Sequence, residues 1–138
     1  MKICIIIANY YPKISHELLV GATNVLEKNG FKNSKKIFTP GIFEIPVLIS
    51  QHINSYDAFV ALGCVIKGKT PHFNFISKAT INSIMKLSVH YKKPIGNGII
   101  TCLNKKQALE RSNPKKKNKG GEAARAALSV LGVLNAKK

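Results

Sequence analysis

The sequence holds no tryptophan, two methionines and six acidic residues, among them a single aspartate, Asp57. No apolar run approaches the roughly 18 residues that a membrane-spanning helix needs. The opening Met1–Asn9 segment is too short and too strand-like for a signal peptide, so a cytoplasmic protein is expected. Cysteine is also scarce. Cys4, Cys64 and Cys102 lie at or near the ends of apolar strand patterns, with a spacing that fits neither a disulfide framework nor a zinc site, and buried free thiols are expected.

Basic residues, by contrast, abound: 22 of the 138, for a net charge of +16. Such a balance first suggests nucleic acid. Yet all but Arg111 and Arg125 are lysine, whereas base and phosphate forks favour arginine, and only Lys115–Lys117 with Lys119 form a cluster. A general lysine coat is the expected surface, with incidental RNA affinity left open and no sequence-specific nucleic-acid partner. At 45% hydrophobic residues and a mean hydropathy of zero, the chain is long enough for one core, and a single domain over residues 1–138 is expected.

Strand-like runs occur at 3–8, 35–39, 58–66 and 95–101. Helical periodicity fills the gaps at about 15–29, 43–53, 71–91 and 105–111, with a last helix from 119 to 134. Leu18, Leu19, Ala22, Val25 and Leu26 predict an amphipathic first helix ended by Asn29-Gly30. Ile76, Ala79, Ile84, Leu87 and Tyr91 predict the apolar stripe of the third. The first and third strands are apolar almost throughout, as strands covered on both faces are. Alternating strands and helices predict a four-stranded parallel sheet in a three-layer α/β/α sandwich.

The stretch Gly63-Cys64-Val65-Ile66-Lys67-Gly68-Lys69-Thr70-Pro71-His72-Phe73 joins the third strand to the third helix. It reads G-x-x-x-x-G-K-T, the nucleotide-binding P-loop pattern. Its composition argues against that reading. Cys64, Val65 and Ile66 are strand residues where a phosphate cradle wants a loop, and Pro71 disfavours the helical backbone that Thr70 would need. No later strand ends in an acidic residue to hold magnesium. Thr70 is read instead as an N-cap, with Pro71 at the first helical position and His72 behind it. Backbone N–H groups, a hydroxyl and an imidazole then meet at one helix start, suited to an anionic substrate that needs proton transfer.

In a parallel sheet, ligands bind beyond the carboxyl ends of the strands. Those ends carry Asn9-Tyr10-Tyr11-Pro12, Thr39-Pro40-Gly41-Ile42-Phe43-Glu44, the 63–73 stretch and Thr101-Cys102-Leu103. Tyr10 suits stacking on a flat ring and Glu44 suits ring or sugar donors. Each has a bland alternative: Tyr10 as packing, Glu44 as a partner of its helix dipole, His72 as an ordinary surface histidine. Their convergence on one sheet edge favours a site.

The ordered set Pro40-Gly41-Ile42-Phe43-Glu44-Ile45-Pro46, Ala61–Gly68 with Thr70 and His72-Phe73, Gln107–Arg111, and Asn118-Lys119-Gly120 with Glu122-Ala123-Ala124 resembles the 6,7-dimethyl-8-ribityllumazine synthase family over nearly the whole chain. The resemblance implies a flavodoxin-like strand order. It also implies condensation of 5-amino-6-(D-ribitylamino)uracil with 3,4-dihydroxy-2-butanone 4-phosphate, releasing phosphate and water, with no metal or organic cofactor. It places Tyr10 over the pyrimidine, Gly41, Ile42, Phe43 and Glu44 along the ribityl and uracil side, and backbone groups of Cys64, Val65 and Ile66 around the ring. His72 becomes the proton-transfer residue, and Arg111, helped by Lys69 and Thr70, holds the phosphate, with Lys119 nearby. Asn97, Arg111 and Lys119 would come from an adjacent subunit, which implies a homopentamer, extended in many family members to a 60-subunit shell.

Lys67 stands where the family commonly has arginine, Lys69 where it has a small residue, and Asn97 where an aromatic is usual. The family's N-terminal extension, which adds a strand to a neighbour's sheet, is expected to be missing, which would remove contact that a shell would use. Two other classes compete: a nucleotide- or RNA-binding module built on the Gly63–Thr70 loop and the Lys115–Lys119 cluster, and a ribityl-compound binder without turnover. Salt-sensitive ATP or RNA binding without diaminouracil chemistry would mark the first. Intact His72 and Arg111 count against the second.

Overall fold

The computed structural model describes residues 1–134; the last four residues of the expected domain, and that part of the domain assignment, lie outside them. Strand β1 (Ile3–Ala8) leads into helix α1 (Pro12–Lys28), then β2 (Lys35–Thr39), a 3₁₀ turn (Ile42–Glu44) and α2 (Ile45–His52). Next come β3 (Ala58–Ile66), α3 (His72–Tyr91), β4 (Ile95–Cys102), α4 (Lys105–Ser112) and α5 (Lys119–Leu131). All four strands are parallel in the order β2-β1-β3-β4, the flavodoxin-like order.

The side-chain alternation of β1 explains why it is apolar at every position. Ile3, Ile5 and Ile7 pack toward α1 and α5, while Cys4, Ile6 and Ala8 pack toward α2 and α3. Each of the four buried isoleucines contributes about 1.5–3 kcal/mol. Leu18, Ala22, Val25 and Leu26 of α1 are buried on that first face as expected, with Leu19 packed at its margin. Helices α1 and α5 approach so closely that a Cβ at Gly120 would come within 2.0 Å of the Leu18 carbonyl oxygen. Only glycine fits that crossing.

Several boundaries differ from the sequence expectation for local reasons. Helix α1 begins at Pro12 rather than Ser15, because proline suits the first helical turn. Buried Ser15 instead donates to the Ala8 carbonyl at 2.7 Å, pinning the helix to the end of β1. Residues 42–44 form a 3₁₀ turn ahead of α2. Helix α5 stops at Leu131 rather than 134, because Gly132 takes φ +82° and its N–H and that of Val133 close back on the last turn.

Helix α3 departs most. Its buried stripe is Ser77, Thr80 and Ile84, with Ile76 and Leu87 at the margin, whereas Ala79 and Tyr91 are exposed. Phe75, Met85 and Val89 on the same helix are more than 60% exposed. Apolar residues occur all round this helix, so periodicity alone did not choose the inward face. Together with the exposed Val47 of α2, Met85 and Val89 line an apolar cleft of about 920 Å³. Among the described residues no helix is long and apolar enough to cross a membrane.

Candidate active site

At the carboxyl rim of the sheet, glycine shapes the floor. A Cβ at Gly63 of β3 would lie 2.7 Å from Ile42 Cγ2 and 3.1 Å from Ala8 Cβ. Its absence lets the 41–44 turn lie against the strand. Glu44 Oε1 then accepts the Gly41 backbone N–H at 3.0 Å, which closes the turn and commits one oxygen of that exposed carboxylate. The β1–β2 ladder runs on through Asn9 N–H to the Thr39 carbonyl (2.8 Å), and the β3–β4 ladder through Lys67 N–H to the Cys102 carbonyl (2.8 Å). These bonds hold the bases of the rim loops.

A cavity of about 480 Å³ opens there. Tyr10, Gly41, Ile42, Phe43, Glu44, Cys64, Val65, Ile66, Thr70 and His72 all line it, so ten of the residues singled out from sequence converge. Tyr10 is 71% exposed, its ring 4.9 Å from that of Tyr11 in an edge-on arrangement. His72 is exposed at the first position of α3. The expected Thr70 cap is displaced by one residue: the helix starts at His72, and the Thr70 hydroxyl accepts its N–H at a long 3.4 Å. That bond is to the main chain, and the His72 side chain itself is exposed at the edge of the cavity.

Cys64 lines the cavity with a thiol that is unreactive. Burial, reinforced by the neighbouring Cys102, pushes its thiol up to about 12, so it stays protonated and a poor nucleophile. Burial likewise raises Tyr11, with Cys64 and Tyr10 adding to the effect, which keeps its phenol neutral. All three cysteines are buried and free.

Four of the expected residues do not line this cavity in the protomer. Lys69 is exposed on the loop between Gly68 and Thr70. Asn97, on edge strand β4, turns its Oδ1 back to accept the Ile99 N–H at 3.1 Å. Arg111 and Lys119 lie on α4 and α5, each already engaged. Arg111 Nη1 donates to Gln107 Oε1 at 3.0 Å, and Lys119 Nζ pairs with Glu122 Oε1 at 3.1 Å. Glu122 and Gln107 carried no role in the sequence reading, although their spacing of three and four residues from a cation on one helix is a recognisable signal. Tyr11, Gly68, Phe73 and Ile76 line the cavity without having been given a role in it. Exposed Lys13, Lys67, Lys69, Lys105 and Lys106 on the same rim give it a positive field suited to a phosphorylated substrate.

Residues 1–135 match the family described as 6,7-dimethyl-8-ribityllumazine synthase. A protein of that name from Bartonella tribocorum is 44% identical over 134 residues, covering 95% of this chain and 88% of its own. One from Bartonella bacilliformis is 45% identical over 134 residues (94% and 87%), and one from Buchnera aphidicola 42% identical over 138 (96% and 86%).

Proposed function

The chain belongs to the 6,7-dimethyl-8-ribityllumazine synthase family, and from that premise we propose how its own residues carry the family reaction. The reaction condenses 5-amino-6-(D-ribitylamino)uracil with 3,4-dihydroxy-2-butanone 4-phosphate to give 6,7-dimethyl-8-ribityllumazine, phosphate and water, the penultimate step of riboflavin biosynthesis. The observation that carries the assignment of roles is the meeting of an exposed tyrosine, a closed acidic turn, strand-end residues and one histidine in a single cavity.

Tyr10 stacks on the pyrimidine. The free oxygen of Glu44 and the 41–43 backbone receive the ribityl and uracil donors, and backbone groups of Cys64 to Ile66 complete the ring pocket. His72 moves protons as the amine and ketone form a Schiff base, as phosphate departs and as the second nitrogen closes the ring. An imidazole serves both directions near neutral pH. Arg111 holds the phosphate as a bidentate fork, with Lys69 and Thr70 at the loop and Lys119 alongside. Holding two substrates in register supplies much of the remaining acceleration, since no strong nucleophile is present.

The cations supplied by α4 and α5 come from an adjacent protomer in a homopentamer. In support, Asn97, Arg111 and Lys119 stand apart from the protomer's own cavity, and α3 and α2 present an exposed apolar face. A pentamer located in the cytoplasm fits these features.

Purified protein mixed with both substrates is expected to produce lumazine absorbance. Mixed assemblies of His72→Ala and Arg111→Ala subunits should recover part of the activity that each variant lacks. An absence of recovery in verified mixed oligomers would refute the shared site, and sedimentation as a monomer would refute the pentamer.

A further inference from the structure

We propose that Gln107 is a positioning residue for phosphate capture, a neutral tether that orients the Arg111 guanidinium without cancelling its charge. The proposal rests on the reading of Arg111 as the phosphate ligand.

The tether is built from the start of α4. Asn104 caps the helix by accepting the Gln107 N–H at 2.9 Å. The Gln107 side chain folds back so that its Oε1 accepts, at 2.8 Å, the N–H of Leu103, the residue just before the cap. That same oxygen accepts Arg111 Nη1 at 3.0 Å. A carbonyl oxygen has two lone pairs, and both are now used. Gln107 is thereby locked to the backbone on one side and grips the guanidinium on the other. Arg111 is half-buried, and one of its five N–H donors is committed, which leaves a fork free for a phosphate.

Two consequences follow. An arginine side chain otherwise loses much rotamer freedom when fixed, so prior tethering lowers the entropic cost of binding. A carboxylate at position 107 would make the same hydrogen bonds but would compete for the positive charge that the substrate phosphate needs. The amide supplies geometry and leaves the charge intact. Lys119 is held the other way, by the carboxylate of Glu122, and so is already partly neutralised. The difference marks Arg111 as the cation reserved for the dianion.

The test measures KM for the butanone phosphate and for the ribitylaminouracil separately in the full-length enzyme. Gln107→Met keeps bulk and charge but removes the acceptor. It is expected to raise the phosphate-substrate KM about five- to tenfold, the weight of one hydrogen bond, with the aminouracil KM unchanged. In an Arg111→Ala background it should add nothing. Gln107→Glu keeps the acceptor but opposes the charge, and should also raise the phosphate-substrate KM, most at low ionic strength. An unchanged phosphate-substrate KM in Gln107→Met, or an equal rise for both substrates, would overturn the tether. A normal phosphate-substrate KM in Arg111→Ala itself would instead overturn the underlying reading of Arg111.

Discussion

Around Tyr10, Glu44 and His72 the main chain does the positioning. Parallel ladders run to the rim, Gly63 admits the 41–44 turn, and Ser15 ties α1 to β1, while the His72 side chain is exposed. Around Arg111 and Lys119 the order is reversed: each cation stands on a helix surface and is held by a side chain one turn away. The contrast suits the tasks proposed for them. A proton carrier needs mobility within a shaped pocket, whereas an anion ligand gains from being pre-set.

The largest effect should come from breaking the first region at its mobile end. His72→Ala is expected to lower kcat about 10²–10³-fold, read from lumazine absorbance, with an unchanged urea midpoint because the side chain is exposed. Arg111→Ala should mainly raise the KM for the phosphate substrate, by about 10–100-fold, the weight of a charged hydrogen-bond pair; Arg111→Lys should recover only part of it. If both variants change kcat and neither changes KM, the division of labour fails.

Beneath both regions lies the α1–α5 crossing. Gly120→Ala forces a methyl onto the Leu18 carbonyl and is expected to cost about 1–3 kcal/mol in urea unfolding. Alkaline pH loads the sheet next. The Cys4 and Cys64 thiols are pushed by burial from 9.0 to about 11 and about 12, so the folded state keeps protons that the unfolded chain releases above pH 9. Stability should therefore be level with respect to these thiols below pH 9 and fall from there toward pH 12, and Cys64→Ala should soften the decline. The smallest effect belongs to Glu122→Gln. With Lys119 37% and Glu122 66% exposed, loss of the pair should change stability by under about 1 kcal/mol, measured by chemical denaturation.

Much of this was legible in the linear chain. The first and third strands followed from continuous apolar runs, and the rim loops from the rule that parallel sheets bind ligands at their carboxyl ends. Ten of the fourteen residues singled out then met in one cavity. The inward face of α3 was not legible, because Ser77 and Thr80 are buried while Phe75, Met85 and Val89 are left outside, the reverse of the simple hydrophobic rule. Nor were the tethers on Arg111 and Lys119, since i,i+3 and i,i+4 spacing permits a contact without requiring one.

By itself, the order of residues determined the alternation of strand and helix, the lysine-rich and carboxylate-poor character of the surface, and which loops carry reactive groups. These depend on local period and composition. Only the tertiary structure decided that Gly63 and Gly120 mark sites of backbone contact, that Thr70 and Pro71 stand just outside the helix, and that Arg111 reaches its glutamine rather than the protomer's own cavity. Those outcomes depend on distances between segments far apart in the chain, which no local pattern encodes.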